Sequence, residues 1–183
     1  MIPPPPTALP PNVVAVIVDV RGSTEKITKR EFQHALAQAV AAQGRGLAPK
    51  PGHGGYGKLK DTAIGELLDS VWIKGQAGEM GLGVTSRQIR EERRQLIKLA
   101  FKSRADYHRF LVEARYTLRD VRDRVEEQML STLIQERAVT GLSGPARQKA
   151  FSKFVAEYEQ RWRARTVCAP EYVLDRCSNG SGS

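Results

Sequence analysis

Residues 13–32, VVAVIVDVRGSTEKITKREF, hold the pattern that decides the fold. Residues 13–20 are mostly β-branched and predict a strand, residues 21–24 have the chemistry of a turn, and residues 25–27 are expected to return as a short second strand. Thr28 and Glu31 then form a capping box, in which the Thr28 hydroxyl oxygen accepts a hydrogen bond from a helical backbone amide and the Glu31 side chain accepts one from the Thr28 amide. The stretch therefore predicts a small β-hairpin that leads directly into an α-helix.

Helical patterns fill most of the chain beyond the hairpin. The first helix is predicted to end near Ala42, and a second to run from about Thr62 to Met80 with Gly81 at its left-handed end. Gly75 and Gly78 in that helix are expected to allow another backbone to approach closely.

Cap residues predict where the later helices begin. Thr85, Ser103 and Thr117 are each followed three residues later by an acidic or amide side chain, so helices should begin near residues 86, 104 and 118. The helix after Thr117 is expected to turn one apolar stripe inward: Leu118, Val121, Val125, Met129 and Leu133. A last aromatic helix should open at Pro145 and end near Arg163.

The predicted fold class is mainly α, a multi-helix domain with a small amino-terminal β-hairpin. A short carboxy-terminal strand at residues 172–174, YVL, is expected to join the hairpin. Three regions are predicted: a Pro-rich tether at residues 1–11, with six prolines, a helical domain at 12–165 with a mobile loop at 43–60, and a tail at 166–183. The tether should be extended rather than folded into a core. Residues 181–183, SGS, fit a remnant of cloning.

The charge balance is strongly basic. The formal net charge is +9 and the isoelectric point is near 9.8, so acidic polypeptides, anionic lipid and nucleic acid are all attracted. Aromatic residues make up only 7% of the chain and are not interleaved with a basic run, which disfavours a single-strand nucleic-acid binder. The longest apolar run, residues 13–18, is too short to span a bilayer.

The two cysteines, Cys168 and Cys177, are close in sequence and are expected to form a disulfide that staples the tail. A disulfide favours an oxidising, extracytoplasmic compartment. The alternative, two unpaired thiols in a cytoplasmic protein, stays open. The amino terminus has no export-signal pattern, so any signal is expected to have been removed and Met1 added for expression.

Motifs for catalysis or cofactor binding are weak. Residues 52–58, GHGGYGK, resemble a phosphate-binding loop, but Leu59 stands where such a loop needs Ser or Thr. The histidines, His34, His53 and His108, are dispersed, so no metal site is predicted, and no cofactor is expected. No nucleophile elbow occurs, and no catalytic residue is assigned.

A basic face is predicted on one helix, formed by Arg87, Arg90, Arg94, Lys98 and Lys102 at spacings of three and four residues. The simplest interpretation is a solvated helix face. The functional interpretation is electrostatic capture of an acidic client, an anionic membrane surface or nucleic-acid phosphate.

The order and punctuation of these elements resemble the SurA/PrsA family of extracytoplasmic foldases and chaperones. The resemblance rests on residues 27–32 (ITKREF), 72–85 (WIKGQAGEMGLGVT), 105–111 (ADYHRFL) and 117–121 (TLRDV), and covers about residues 12–162. Many members of the family carry a parvulin prolyl-isomerase domain between the long helix and the closing helix. Here only residues 140–144 separate those helices, too few for a domain, so isomerase activity is not carried over.

The resemblance implies an ATP-independent chaperone, not an enzyme, that binds unfolded or exported polypeptides in the periplasm or cell envelope. Large flexible or aromatic side chains suit such contacts, and the candidates are Met80, Tyr107, Phe110, Met129, Tyr158 and Trp162. Two alternatives stay open: a basic helical nucleic-acid binder, and the non-catalytic portion of a peptidyl-prolyl isomerase.

Overall fold

A computed structural model describes residues 8–44 and 46–180 of the chain. Its elements are β1 (Val13–Val20), β2 (Ser23–Thr28), α1 (Lys29–Ala42), α2 (Tyr56–Glu79), α3 (Ser86–Ala100), α4 (Arg104–Glu113), α5 (Leu118–Ala138), α6 (Gly144–Ala164) and β3 (Thr166–Cys168). A single 3₁₀ turn, Pro170–Tyr172, follows β3. The predicted fold class, mainly α with a small β-sheet, is confirmed.

Strand β1 is the centre of a three-stranded antiparallel sheet with the order β2-β1-β3. Its β-branched residues are buried on both faces, which explains why the sequence shows an apolar run rather than alternation. Val14 and Ile17 pack with α1 and α2 in the main core, whereas Val16 and Val18 pack with Leu9 in a smaller cluster. The sheet thus anchors the helical body.

Buried tryptophans join α2, α6 and the sheet. Trp72 donates its indole hydrogen to the Thr166 hydroxyl at 3.0 Å, and Thr166 donates to the Trp162 carbonyl at 2.8 Å. Trp162 in turn donates its indole hydrogen to the Gln76 side-chain oxygen at 3.0 Å. Both indole N–H groups are therefore hydrogen-bonded, so the tryptophans bury their apolar area without the cost of an unpaired indole donor.

Arg165 is a buried cation at the point where α6 meets the sheet. It forms an ion pair with Glu79 at the end of α2, and it donates to the Asp19 carbonyl at 3.4 Å. Its guanidinium also lies 4.9 Å from the centre of the Trp162 ring. These contacts compensate the charge that burial removes from water.

Several sequence predictions need correction. Helix α2 begins at Tyr56 rather than near Thr62, so the connection from α1 is shorter than the predicted loop at 43–60. The tail strand is Thr166–Cys168, and residues 172–174 form no strand, because Tyr172 ends the 3₁₀ turn. The predicted tether at 1–11 and the remnant at 181–183 lie largely or wholly outside the described residues.

The predicted inner stripe of α5 is also only partly right. Val125 is buried, but Leu118 is 61% exposed, and the other buried positions are Leu130 and Ile134. Helix α5 packs against both α2 and α3, so its buried surface spreads over two faces instead of one stripe.

Candidate functional site

Helices α3 and α4 form an arm on the body, defined here as residues 86–118 and called the α3–α4 arm. Both helices begin at side-chain caps: the Gln88 amide donates to the Thr85 hydroxyl at 3.2 Å, and the Asp106 amide donates to the Ser103 hydroxyl at 3.1 Å. The predicted starts at residues 86 and 104 are therefore confirmed. Side-chain caps stabilise the starts of these two helices, whose burial against the rest of the protein contributes little to their stability.

The arm buries little of its own surface. Ile89 is the buried residue of α3, and none of the ten described residues of α4 is buried. Helix α3 packs on α5, and this is the arm's main attachment to the body. A helix of ten residues is marginal on its own, so α4 depends on its caps and on its aromatic contacts.

Exposed apolar side chains are concentrated on the arm. Seven large apolar side chains are exposed within residues 8–44 and 46–180, and five of them belong to the arm: Leu96, Leu99, Phe110, Val112 and Leu118. Leu99 is 84% exposed and Val112 is 66% exposed. Single exposed apolar residues are ordinary, but several in one short segment are typical of an interaction surface.

Four aromatic rings hold α4 against the end of α3 and the start of α5. The Phe101 ring centre lies 5.2 Å from those of both Tyr107 and Phe110, and Phe110 lies 5.7 Å from Tyr116. The Arg124 guanidinium lies over the Tyr116 ring, 4.9 Å from its centre. Burial raises the pKa of the Tyr116 phenol, although Arg124 opposes the shift.

The predicted basic face is only partly a helix face: Arg87, Arg90, Arg94 and Lys98 are exposed on α3, whereas Lys102 is exposed in the connection between α3 and α4. Arg87 forms an ion pair with Glu91, with a distance of 3.0 Å between Nε and Oε1. Among the residues that the structure describes, no carboxylate lies within 4.0 Å of the charged groups of Arg90, Arg94, Lys98 or Lys102. The arm carries nine Lys or Arg residues and four Asp or Glu residues, a net charge of +5.

The six predicted peptide-binding residues do not form one surface. Tyr107 and Phe110 lie together on the arm. Met80 packs on the cluster around Leu130 and Ile134, and Met129 is half-buried on α5. Tyr158 is mostly enclosed between Trp72 and Phe154.

Trp162 is a clear correction to the predicted site. Its side chain is 0% exposed and hydrogen-bonded in the core, so it cannot contact a client in this conformation. Burial likewise raises the pKa of the Tyr158 phenol far above its ordinary value, as expected for a core residue.

Sequence reasoning missed four residues of the arm with exposed apolar side chains: Leu96, Leu99, Val112 and Leu118. Leu118 was assigned to an inner stripe. The sequence did contain one signal for Leu96 and Leu99: the two leucines lie on either side of Lys98, in a helix that otherwise follows a charged pattern. A helix with more apolar side chains than its buried face can accommodate indicates a second surface.

The tail is held to the body by a disulfide. Cys168 and Cys177 are bonded, with their Cα atoms 5.8 Å apart, and both side chains are buried. Disulfides of this kind are typical of oxidising compartments. In the described part of the chain no cluster of three or more His, Cys, Asp or Glu side chains could hold a metal ion, and no helix there is long and apolar enough to cross a membrane.

Comparison of the chain with protein-family models, with curated proteins and with solved structures found no match. The features of the chain that bear on function are the exposed side chains of the arm, its net charge and the disulfide.

Proposed function

We propose that this protein is an ATP-independent chaperone that holds unfolded or exported polypeptides, with the α3–α4 arm as its contact surface. The observation that carries the proposal is the concentration of exposed apolar side chains on that arm. The SurA/PrsA-like order of elements supports the same assignment. No cofactor is required for this activity.

The arm suits weak and reversible binding. Each apolar side chain that becomes covered contributes on the order of 1 kcal/mol at about 25 cal/mol per Å². A client that covers a few of them binds in roughly the millimolar to micromolar range once the cost of association is subtracted. Such binding shields a client from aggregation and releases it without energy from nucleotide hydrolysis.

The disulfide and the basic arm bear on where the protein works. A buried disulfide favours an oxidising location, which supports our proposal that the protein works outside the cytoplasm, in the periplasm or cell envelope. The cations of the arm would also be attracted to an anionic membrane surface close to its clients.

The proposal is tested by light scattering from a client that aggregates after dilution from denaturant. The wild-type protein, near stoichiometric ratio and without nucleotide, should suppress the scattering. The double substitution Leu99→Ser and Val112→Ser should lose most of this activity, because both side chains are on the arm and neither is in the core.

A matched control is available outside the arm. Leu47 is 87% exposed and Leu142 is 40% exposed, and their replacement by Ser should leave suppression unchanged. Unaltered scattering at a several-fold excess of the wild-type protein would end the chaperone proposal. Equal loss of suppression in both double variants would show that the arm is not the contact surface.

Nucleic-acid binding is the second candidate function, and the observation that favours it is the exposed basic face. Phosphate contacts would make the affinity fall steeply with salt concentration. However, Phe101, Tyr107, Phe110 and Tyr116 pack against one another, which leaves their faces poorly placed for stacking on bases. Anisotropy titrations with duplex and single-stranded oligonucleotides in 150 mM salt measure this directly, and we expect weak, sequence-independent binding.

A prolyl-isomerase role is the third possibility raised by the resemblance. Helices α5 and α6 are joined by residues 139–143. Isomerisation of a prolyl peptide should therefore proceed at the uncatalysed rate, over tens to hundreds of seconds at 25 °C.

A further inference from the structure

We propose that the α3–α4 arm selects unfolded segments in which carboxylates lie beside apolar residues. The inference rests on the proposed function and adds the class of client. It is carried by two features that occupy the same 33 residues, the exposed apolar side chains and the uncompensated cations.

Cations and exposed apolar side chains are neighbours on the arm. Lys98 precedes Leu99, and Arg109 precedes Phe110; all four are exposed. Adjacent Cα atoms lie about 3.8 Å apart, and the screening length is roughly 8 Å in physiological salt. Adjacent side chains point about 100° apart around a helix, whereas Arg109 and Val112, three residues apart on α4, share one helix face. A client residue that covers Val112 therefore lies within the range of the Arg109 charge.

The charge of the arm is not balanced within the protein. Residues 86–118 hold a net charge of +5, whereas the full chain of 183 residues holds +9. Arg90, Arg94, Lys98 and Lys102 are free of carboxylate partners within 4.0 Å among the described residues. A client that supplies carboxylates completes these pairs, whereas a basic client is repelled.

The expected preference is moderate. Exposed ion pairs are individually weak and are screened by salt, so we expect an acidic segment to bind about tenfold more tightly than a neutral one at low salt, a difference near 1.4 kcal/mol. The preference should shrink to about twofold or less in roughly 0.5 M salt, where screening is nearly complete.

The experiment uses three fluorescent unfolded peptides with the same Leu and Phe positions. The polar positions between them are Asp and Glu in the first, Ser and Gln in the second, and Lys in the third. Anisotropy titrations against the full chain at low and high salt should give affinities in the order acidic, neutral, basic. The triple substitution Arg94→Gln, Lys98→Gln and Lys102→Gln should abolish this order while the neutral peptide binds as before.

The control removes the same number of charges from α6, where Arg147, Lys149 and Lys153 are exposed. Replacing these three with Gln should keep the preference. Equal affinity for all three peptides, or a preference that survives in the arm variant, would overturn the inference and leave the chaperone proposal standing. Binding of no peptide together with unsuppressed aggregation would overturn both. Adsorption to phosphatidylglycerol vesicles without binding of the acidic peptide would assign the arm to a membrane and overturn the inference.

Discussion

Asp120 connects the start of α5 to α1. Its carboxylate accepts hydrogen bonds from the Thr117 amide at 2.6 Å and the Thr117 hydroxyl at 2.7 Å, and it lies 2.9 Å from His34 Nε2. Partial burial disfavours the charged form, but the hydrogen bonds outweigh it and hold the pKa of Asp120 below its ordinary value. The charged carboxylate therefore stabilises the fold.

Replacement of Asp120 by Ala should lower the free energy of unfolding by about 1 kcal/mol at neutral pH, because the Thr117 amide and hydroxyl lose the carboxylate that accepts from them in the capping box. Because the folded-state pKa is depressed, the stabilisation is present above the unfolded-state pKa of about 3.9 and is lost as the pH falls through the folded-state value. The difference between wild type and variant should thus shrink below about pH 4.

Urea denaturation between pH 3 and pH 7 measures this dependence. Asp123→Ala is the control, since Asp123 lies on the same helix and only pairs with exposed Arg119 at 3.6 Å. A pH-independent difference for the Asp120 variant would contradict the assignment.

Individual residues were predictable from the sequence where their partners are local. The capping boxes at Thr28 and Thr117 need only the residue three positions later, and both are present. The contact between His34 and Asp120 spans 86 positions, and no local pattern indicates it. Trp162 was misassigned for the same reason, because its core partner Gln76 is also 86 positions away.

At the scale of elements, α6 packs on α2 through a glycine. A Cβ atom at Gly75 would lie 2.2 Å from the Trp162 ring, and one at Gly78 would lie 2.7 Å from the Arg21 side chain. The predicted close approach at both glycines is therefore present, but side chains approach them rather than another backbone. The large ring of Trp162 fits because residue 75 has no side chain.

Gly75→Ala should lower the free energy of unfolding by about 2 kcal/mol, because overpacking a closed core costs more than the helix gains from alanine. Gly65→Ala is the matched control on the same helix. Its Cβ would lie 3.6 Å from the end of the Arg176 side chain, an ordinary contact, so this variant should gain up to about 1 kcal/mol. Equal gains in urea midpoint for both variants would show that Trp162 does not fill the space above Gly75.

The tail element depends on both the disulfide and local hydrogen bonds. Asn179 donates to the Cys168 carbonyl at 2.8 Å, and the Ser178 amide donates to the Thr166 carbonyl at 2.7 Å. Arg176 pairs with Asp69, which raises the pKa of the guanidinium although burial opposes the shift. The sequence suggested a strand at 172–174, but strands of three residues carry little pattern, and the strand that pairs with β1 is Thr166–Cys168.

Reduction of the disulfide should lower the free energy of unfolding by somewhat less than 3 kcal/mol, because the bridge closes a loop with a sequence separation of only 9. Its local effect should be larger: amide exchange of residues 166–180 should rise while the helical circular dichroism is retained. Exchange and urea denaturation with and without reductant measure both effects. Two free thiols in the unreduced, denatured protein would contradict the bridge.

At the scale of the whole molecule, burial is unevenly distributed. The core joins β1, α1, α2 and α6, whereas α4 and the last turns of α3 stay largely exposed. The arm is therefore free to carry contacts that are not needed for folding, so its substitutions should affect binding with little effect on stability.

The order of the helices was predictable because caps and periodic apolar residues are local signals. The exposed apolar side chains of the arm were not predictable, because exposure depends on how helices pack in three dimensions. Leu118 shows the difference: its position in a periodic stripe predicts burial, yet it is 61% exposed at the first position of α5. The basic face was predictable, because charged residues at helical spacing indicate an exposed helix face whichever elements the helix packs against.

Photocrosslinking to an unfolded client shows whether the α3–α4 arm is the surface that contacts it. A photoreactive phenylalanine analogue is introduced in place of Leu99 or Val112 on the arm, and in place of Leu47 or Leu142 outside it, all exposed positions. We expect strong client crosslinks from Leu99 and Val112 and weak ones from Leu47 and Leu142. Crosslinks of equal strength from all four positions, or none from the two arm positions, would contradict the assignment of the arm as the contact surface.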